Sequence, residues 1–216
     1  RVLRWPFRIK LDEDIGDMIP GAYGITLPTD LRDPYSNKNI LAVRIGRDNT
    51  PLSYESKTQF DRHFLGIAHT TLTTSITGAS TTLVLGSSGD FNESGSVYIA
   101  ASSISETIDT VAYTSNTEST KTLAGVTGIA DSKSSGVDIW QGLSFGTPTA
   151  YTIDADSGKI LFNVPFSDDL AGENVFMDYY SEMTAYDSDA DTLDEPEYDL
   201  FVSYLKWKIG YRLSNG

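Results

Sequence analysis

Gly142-Leu-Ser-Phe-Gly146 matches the nucleophile elbow of serine hydrolases and is the first pattern in this sequence that could carry chemistry. An elbow lies between a strand and a helix, and its acid and histidine follow it along the chain. Here the next stretch, TPTAYTID, is typical of a strand, and the two histidines, His63 and His69, precede the motif. The context therefore argues against a catalytic Ser144 and favours a turn that buries Phe145.

The histidines and one run of acids suggest cation sites, but their spacing fits poorly. His63 and His69 are six residues apart, whereas helical zinc ligands are usually about three to five apart. Asp187-Ser-Asp189-Ala-Asp191 opens like a calcium loop, which then requires Gly at the sixth position and Glu at the twelfth. This chain has Thr192 and Tyr198 there. We expect ordinary surface or interface histidines, a solvated acidic loop, no metal and no cofactor.

Composition narrows the class of protein. The 216 residues suit one or two domains, and the absence of cysteine excludes disulfides, thiol nucleophiles and thiolate metal sites. Thirty acidic against 16 basic side chains give a net charge of −14, which repels nucleic acid at long range. No apolar run approaches the roughly 20 residues needed to span a membrane, so we expect no membrane association.

The N-terminal third predicts a loop, a strand and a short helix. Residues 11–39 are rich in Asp, Gly and Pro, which indicates mostly loop. The apolar run Ile40–Ile45 predicts a strand. Ser56 and Gln59 have the spacing of a capping box, so a helix should start there. Its buried face would hold Phe60, Phe64 and Leu65.

Residues 70–130 are dense in Ser, Thr and Gly, with apolar residues that alternate in short segments. The segments are STTLVLGSS, GSVYIAA, DTVAYTS and KTLAGVTGI, and turn residues separate them. This pattern predicts an inserted β domain, a small antiparallel barrel or sandwich. Residues 1–69 and 131–216 would then form one body, with DSKSSGVDIWQGLSFGTPTA as the linker back to it.

The C-terminal third predicts a hairpin, a strand and a closing helix. Asp154–Gly158 is typical of a hairpin connection, and NVFMDYY predicts the following strand. Asp194 can cap a helix that has Pro196 and Glu197 in its first turn. The predicted fold class is α+β: an antiparallel, β-rich chain with a small inserted barrel or sandwich and a few helices, including this C-terminal one.

The order of these elements resembles the head-to-tail adaptor (connector) proteins of tailed bacteriophages. The resemblance is carried by LRWPF, YGITLPTDLRDPYS, ILAVRIGRDNTPLSYESKTQFDR, YTIDADSGKILFNVPFSDDLAGENVFMDYY and TLDEPEYDLFVSYLKWKIGYRL. Residues 70–130 resemble a small β module that recurs in phage tail and neck proteins. The order of the pieces carries more weight than any one of them.

The resemblance implies a structural role without enzymatic activity. Such adaptors form a ring, most often dodecameric, under the portal protein, and they extend the DNA channel toward the next neck or tail protein. The chain would be assembled in the host cytoplasm and reside in the virion neck, and DNA would pass without specific binding. Aromatic side chains expected at oligomer or partner interfaces are Trp5, Tyr204, Trp207 and Tyr211. The acids expected on a channel-facing loop are Asp187, Asp189 and Asp191.

Two alternatives remain open at this point. The Ser/Thr/Gly-rich module also suits another phage tail, baseplate or capsid-decorating protein. The many aromatic and acidic residues would suit a carbohydrate-binding module or a hydrolase. Asp168 and Asp169 give the hydrolase little support, because the sequence places no other acid opposite them across a cleft.

Overall fold

Fourteen strands and one short helix form most of the regular structure in the described residues, which in this computed structural model are 9–34, 37–46 and 49–182. The strands are β1 (Ile9–Asp17), β2 (Gly24–Thr26), β3 (Ile40–Ile45), β4 (Ser53–Tyr54), β5 (Ala68–Thr71), β6 (Thr82–Val84), β7 (Gly95–Ile99), β8 (Asp109–Tyr113), β9 (Ser115–Thr117), β10 (Thr122–Ala124), β11 (Asp138–Gln141), β12 (Ala150–Asp154), β13 (Lys159–Phe162) and β14 (Asn174–Tyr180). The helix α1 (Lys57–Phe60) continues as a 3₁₀ turn to Phe64. The described fold is therefore mostly antiparallel β, with which the α+β prediction is loosely compatible. The predicted C-terminal helix beginning at Asp194 lies outside the described residues.

Alternation along β14 builds the first core. Val175, Met177 and Tyr179 are buried, while the residues between them are half-buried. The strand lies between β1 and β3 and is antiparallel to both. A second sheet, in the order β2-β13-β12-β4, contributes the other buried side chains. We call this cluster the body core: Met18, Ile25, Leu27, Leu31, Ile40, Val43, Ile45, Tyr151, Ile160, Phe162, Phe166, Val175, Met177 and Tyr179.

Three predicted strand features of the body are confirmed. β3 spans Ile40–Ile45 and β14 spans Asn174–Tyr180, as the apolar patterns indicated. β12 and β13 pair antiparallel through Asp154↔Lys159. Gly158, in the turn between them, has a φ of +66°, which glycine adopts at little cost. The residue types in the turn and the pattern of apolar residues were sufficient to predict these elements.

The loop prediction for residues 11–39 is wrong where β1 runs. This strand covers nine residues but contains two irregularities, between Lys10 and Glu13 and between Asp14 and Gly16. Asp12 has a φ of +53°, and extra residues of this kind break the regular alternation that reveals a strand. Because β1 also lies at the edge of its sheet, Asp12, Asp14 and Asp17 remain exposed. The sequence of this strand therefore resembles a polar loop.

The Ser/Thr/Gly-rich segment forms a second core of its own. Its strands make one sheet in the order β5-β11-β7-β8 and another in the order β6-β10-β9. The isolated bridges Leu72↔Leu85 and Ala112↔Thr127 connect neighbouring parts of this structure. We call it the β module. Its core comprises Ala68, Leu72, Ile76, Leu83, Leu85, Phe91, Val97, Ile99, Val111, Tyr113, Leu123, Val126 and Ile139.

The four segments predicted as strands in the module correspond to β6, β7, β8 and β10. The linker interpretation is wrong for β11, which pairs with both β5 and β7. Its consecutive apolar residues Ile139 and Trp140 are both buried, one on each side of the strand. The domain boundaries at 70 and 130 remain a prediction, and the sheet includes β5 and β11 on either side of them.

The short helix begins where the capping pattern predicted. The Gln59 side-chain oxygen accepts hydrogen bonds from the Ser56 backbone N–H at 3.4 Å and from its hydroxyl at 3.0 Å. Phe60 is buried and Phe64 half-buried, as expected. Leu65 is 76% exposed, which contradicts the prediction. The reason is that the helix tightens into a 3₁₀ turn after Phe60 and Leu65 is already extended, with ψ of 125°.

The loop between β1 and β2 joins the body core to the β module. Gly21 donates to the Phe166 carbonyl at 2.8 Å, and its own carbonyl accepts from the Trp140 indole at 3.0 Å. The Pro20 carbonyl accepts from the Ala101 N–H at 2.9 Å. A Cβ added at Gly21 would lie 2.6 Å from the Ala100 Cα. Gly21 therefore permits a close backbone approach that a side chain would prevent.

We predict that Gly21→Ala destabilises the protein more than Gly142→Ala does. Both glycines have a φ of +80°, but a Cβ at Gly142 meets nothing within 4 Å. The left-handed backbone alone should cost about 1–2 kcal/mol, and overpacking against Ala100 should add about 1–3 kcal/mol at Gly21. Urea unfolding of both variants measures the difference, and equal losses would contradict the close-approach argument.

Candidate interaction surface

Five rings from four parts of the chain meet where the body adjoins the β module. We call this group the junction cluster: Tyr23, Phe60, Phe64, His69 and Trp140. Tyr23 follows the loop after β1, the two phenylalanines come from the helical segment, and His69 and Trp140 face each other as a cross-strand pair of β5 and β11. Each of these elements thus contributes one or two rings to the junction cluster.

Trp140 is the centre of the junction cluster. Its ring stacks on His69 with centroids 3.8 Å apart and on Phe64 at 5.7 Å. Tyr23 meets it edge-on at 5.0 Å, an arrangement that aromatic quadrupoles favour. Trp140 is 1% exposed, and its indole N–H is satisfied by the Gly21 carbonyl. The ring packing and this hydrogen bond together fix its position between the two cores.

The two histidines lie near each other in sequence but pair with different acids. His69 Nε2 is 2.8 Å from Asp138 Oδ1, and His63 Nε2 is 2.8 Å from Glu55 Oε2. Within residues 9–34, 37–46 and 49–182, no group of three or more His, Cys, Asp or Glu side chains is arranged to hold a metal ion. The histidine–acid pairs orient the imidazole rings at the edge of the junction cluster.

Burial at the junction changes the acidity of Tyr23. Desolvation, followed by the negative charges of Asp138, Asp154 and Asp61, raises the pKa of Tyr23 to about 12. Each of these effects disfavours the phenolate. The Tyr23 hydroxyl therefore keeps its proton to a higher pH than an exposed tyrosine does.

The outer side of the cluster is partly open to solvent. Leu65 is 76% exposed, the His63 side chain is 37% exposed, and Phe64, Tyr23 and His69 are half-buried. We call these five residues the junction surface. One exposed leucine is ordinary, but Leu65 directly follows Phe64 in the chain, and leucine and aromatic residues together have the composition of an interface core.

A separate open groove of about 470 Å³ lies in the body near the ends of β3 and β14. Ile45, Leu52, Pro148 and Leu170 form its apolar part, and Glu173 supplies a carboxylate. The lining mixes polar and apolar groups without bringing a nucleophile and a base together among these residues. Its chemistry suits packing against another surface better than catalysis.

Arg44 organises the polar side of the β1–β14–β3 sheet. Its guanidinium donates to both carboxylate oxygens of Asp178, at 2.7 and 2.8 Å, and to Asp12 Oδ1 at 2.5 Å. The backbone N–H of Asp12 also donates to Asp178 Oδ1 at 2.8 Å. These bonds, first from Arg44 and then from Asp12, hold the pKa of Asp178 below its ordinary value despite partial burial. These hydrogen bonds hold the irregular part of β1 against β14 and β3. The charges of Arg44, Asp178 and Asp12 therefore stabilise the sheet.

A second polar group ties the start of β1 to the body. Asp30 accepts from Lys10 Nζ at 2.9 Å and from the Tyr179 hydroxyl at 2.8 Å. Burial would raise the pKa of Asp30, but the hydrogen bonds from Lys10 and Tyr179 outweigh it and lower that pKa. Burial, followed by the bond to Asp30, raises the pKa of Tyr179 to about 12.

The elbow-like pattern forms no elbow in the structure. Ser144 is exposed, and the residues after it run on without a helix to a bridge between Gly146 and Phe166. Phe145 is half-buried, with its ring edge-on to Tyr98 at 5.1 Å, so the expectation of a buried Phe145 is only partly met. The segment is a loop, as the sequence context indicated.

The adjacent acids at the start of the Ser167–Ala171 turn have separate structural partners. Asp168 Oδ1 accepts the Ile108 N–H at 2.9 Å, and the Asp169 carboxylate accepts the Ser167 hydroxyl. Asp168 thereby links the body to the β module. Neither contact places the two carboxylates across a cleft from another acid.

The residues predicted for interfaces and for the channel lie outside the described residues: Trp5, Tyr204, Trp207, Tyr211, Asp187, Asp189 and Asp191. Sequence reasoning also missed the junction cluster. Its one local signal was the apolar pair Ile139–Trp140 in a polar segment, which indicates a strand buried on both faces. The long-range meeting of Tyr23 with Trp140 had no sequence signal.

Comparisons with known proteins give no relative for this chain. No protein-family model matches it, and searches of curated proteins and of solved structures find no match. Among the helices that the structure describes, none is long and apolar enough to cross a membrane.

We predict that stability falls as the pH rises from about 10 to about 12. Tyr23, Tyr151 and Tyr179 have pKa values raised from 10 to about 12, in each case mainly by burial. Below pH 10 both states keep these protons, whereas between 10 and 12 the unfolded state loses them first and is favoured. Urea unfolding at a series of alkaline pH values measures the loss.

Tyr151→Phe tests the same point at one residue. Tyr151 is 5% exposed, and removing its hydroxyl should reduce the alkaline loss by an amount on the order of 2 kcal/mol. The comparison uses the slope of unfolding free energy against pH, so a uniform change in stability does not affect it. An unchanged slope would contradict the proposed burial effect.

Proposed function

We propose that this protein is a structural part of a tailed-phage virion: a head-to-tail adaptor, repeated as a ring that extends the portal DNA channel toward the tail. One observation carries the proposal. The segments that resemble adaptors are separated in sequence by the Ser/Thr/Gly-rich module, yet they supply β2, β3, β12, β13 and β14 to the single body core. They therefore behave as parts of one scaffold into which the module is inserted.

The use of charge in the body supports a role without enzymatic activity. The Arg44–Asp178–Asp12 network and the Lys10–Asp30–Tyr179 group hold strands together. Their charged groups are engaged with one another rather than aimed at a common cavity. Such networks fix strand geometry, which is what a repeated structural subunit requires.

Surface acids support passage of DNA without binding. The chain carries a net charge of −14, and Asp12, Asp14 and Asp17 of β1 are exposed. A wall with this charge repels phosphates at short distances and is screened beyond about 10 Å at moderate salt. The acidic segment Asp187–Asp191 is the part of the chain that we assign to the channel, on sequence grounds alone.

The junction surface is the described region that best suits contact with a neighbouring subunit. Leu65 is exposed and directly follows Phe64, whose ring contacts Tyr23 and Trp140. Preorganised aromatic groups lose little conformational entropy on association. We assign the remaining contacts to the aromatic residues expected from sequence: Trp5, Tyr204, Trp207 and Tyr211.

The proposal names the partners and the place of assembly. The chain would contact copies of itself in a ring, dodecameric in the form we expect, with the portal protein on one side and the next neck or tail protein on the other. It would assemble in the host cytoplasm and remain in the virion neck. The self-contained core of the β module also suits the alternative of another tail, baseplate or capsid-decorating protein.

The experiment is a mass measurement of the purified chain with and without the portal protein of the same virus. An adaptor should give a closed ring, alone or on the portal, which negative-stain microscopy would show in projection. A chain that stays monomeric with the portal and with tail components present would overturn the proposal.

We predict that Leu65→Glu weakens ring formation, because it places a charge at the most exposed residue of the junction surface. The dissociation constant should rise about tenfold or more, which corresponds to about 1.4 kcal/mol. Leu41→Glu is the matched control, since Leu41 is 46% exposed but lies on β3, which supplies no residue to the junction surface. Equal effects of the two changes on the ring would contradict the assigned surface.

A further inference from the structure

Lys133 is a fully buried lysine that the proposed function does not use. Its side chain is 0% exposed. The backbone pairs with Ile76 in both directions, at 2.9 and 3.0 Å, so the residue is fixed at the end of the β module. A buried primary amine is both costly and, when neutral, nucleophilic.

Two carboxylates face the Lys133 amine without hydrogen-bonding to it. Asp109 Oδ2 lies 3.7 Å from Nζ and Glu106 Oε2 lies 3.6 Å from it. The hydrogen bond of Nζ goes instead to the Thr107 carbonyl at 2.8 Å. The Asp109 side chain is 2% exposed and that of Glu106 is 24% exposed. The site therefore combines a buried amine, a buried carboxyl group and a more open acid.

The two carboxylates differ in how they are held. Asp109 Oδ2 accepts the backbone N–H groups of Ala130 at 3.1 Å and Asp131 at 3.4 Å. Such donors stabilise negative charge that develops on a carbonyl oxygen during attack by a nucleophile. Glu106 Oε2 accepts the Ser102 N–H at 2.8 Å, and its greater exposure suits proton exchange. Asp109 is thus placed as the electrophile and Glu106 as the proton carrier.

We propose that Lys133 and Asp109 form an intramolecular isopeptide bond in the folded β module. Glu106 takes a proton from the Lys133 ammonium, and the neutral Nζ attacks Cγ of Asp109. A C–N bond forms, and one carboxyl oxygen of Asp109 leaves as water with two of the three ammonium protons, one of them delivered by Glu106. The third proton stays on the amide nitrogen, and Glu106 returns to its starting state.

The atoms and charges of this step balance without any other reactant. One ammonium and one carboxylate give one neutral amide and one water molecule. The reaction removes two charges from a buried site where neither is fully compensated by hydrogen bonds, which is a favourable change in a low-dielectric interior. Folding supplies the proximity that the condensation needs.

The bond would cross-link two distant segments of the β module covalently. It joins the first residue of β8 to the segment that leads into β11, and it therefore constrains the unfolded chain much as a disulfide does. A chain without cysteine would gain a permanent cross-link by this route. The inference concerns the chemistry of the module and stands whether or not the protein is an adaptor.

Mass spectrometry of the unmodified chain tests the proposal directly. The protein is kept folded at neutral pH until its mass no longer changes, and its intact mass is then measured after denaturation. We expect a mass lower by one water molecule than the sequence requires, and a proteolytic fragment in which the Lys133 and Asp109 peptides are joined. A full sequence mass for the folded protein would overturn the proposal, as would a link from Lys133 to Glu106.

Three variants assign the roles. Lys133→Arg keeps the positive charge but cannot form the bond, so its mass should equal that of its sequence. Glu106→Gln should retain the amine and the electrophile but form the bond at least tenfold more slowly. Lys159→Arg, at an exposed lysine of β13, is the control and should still lack one water molecule. Loss of water from Lys133→Arg would place the reaction elsewhere and refute the assignment.

Discussion

The contact between Gly21 and Trp140 is the constraint on which the arrangement of the two cores depends. The Gly21 carbonyl accepts a hydrogen bond from the buried indole N–H of Trp140. The Gly21 N–H donates to the carbonyl of Phe166 in the body. The backbone comes so near to Ala100 that only glycine fits. A short loop therefore holds the β module and the body in one fixed relation, and the junction cluster packs around that point.

The distribution of charge follows a consistent principle. Where acids are partly buried, as at Asp178 and Asp30, an Arg or Lys and one further donor hold each carboxylate. Where acids are exposed, as along β1, their number gives the surface its negative potential. Lys133 departs from this pattern, because its neighbouring carboxylates lie beyond hydrogen-bond distance. That departure is what makes the module site chemically distinctive.

Several elements with a local signal could be predicted from the sequence. Alternation predicted β14, and the turn chemistry around Gly158 predicted the hairpin. The bulged strand β1 was missed because Asp12 and Gly16 break the period of two. The junction could not be predicted, since Trp140 and Gly21 are 119 positions apart and no local pattern links them. Contacts between distant residues cannot be read from a sequence. The interface residues were therefore predicted from aromatic residue type and from the resemblance to adaptor proteins.

The central proposal is that copies of this chain assemble into a ring between the head and the tail of a phage particle. Labelling the protein in intact virus particles, with an antibody fragment visible by electron microscopy, tests that claim most directly. We expect label at a single vertex, between the capsid and the tail. Label spread over the capsid shell, along the tail or at the baseplate, or absent from particles altogether, would contradict it.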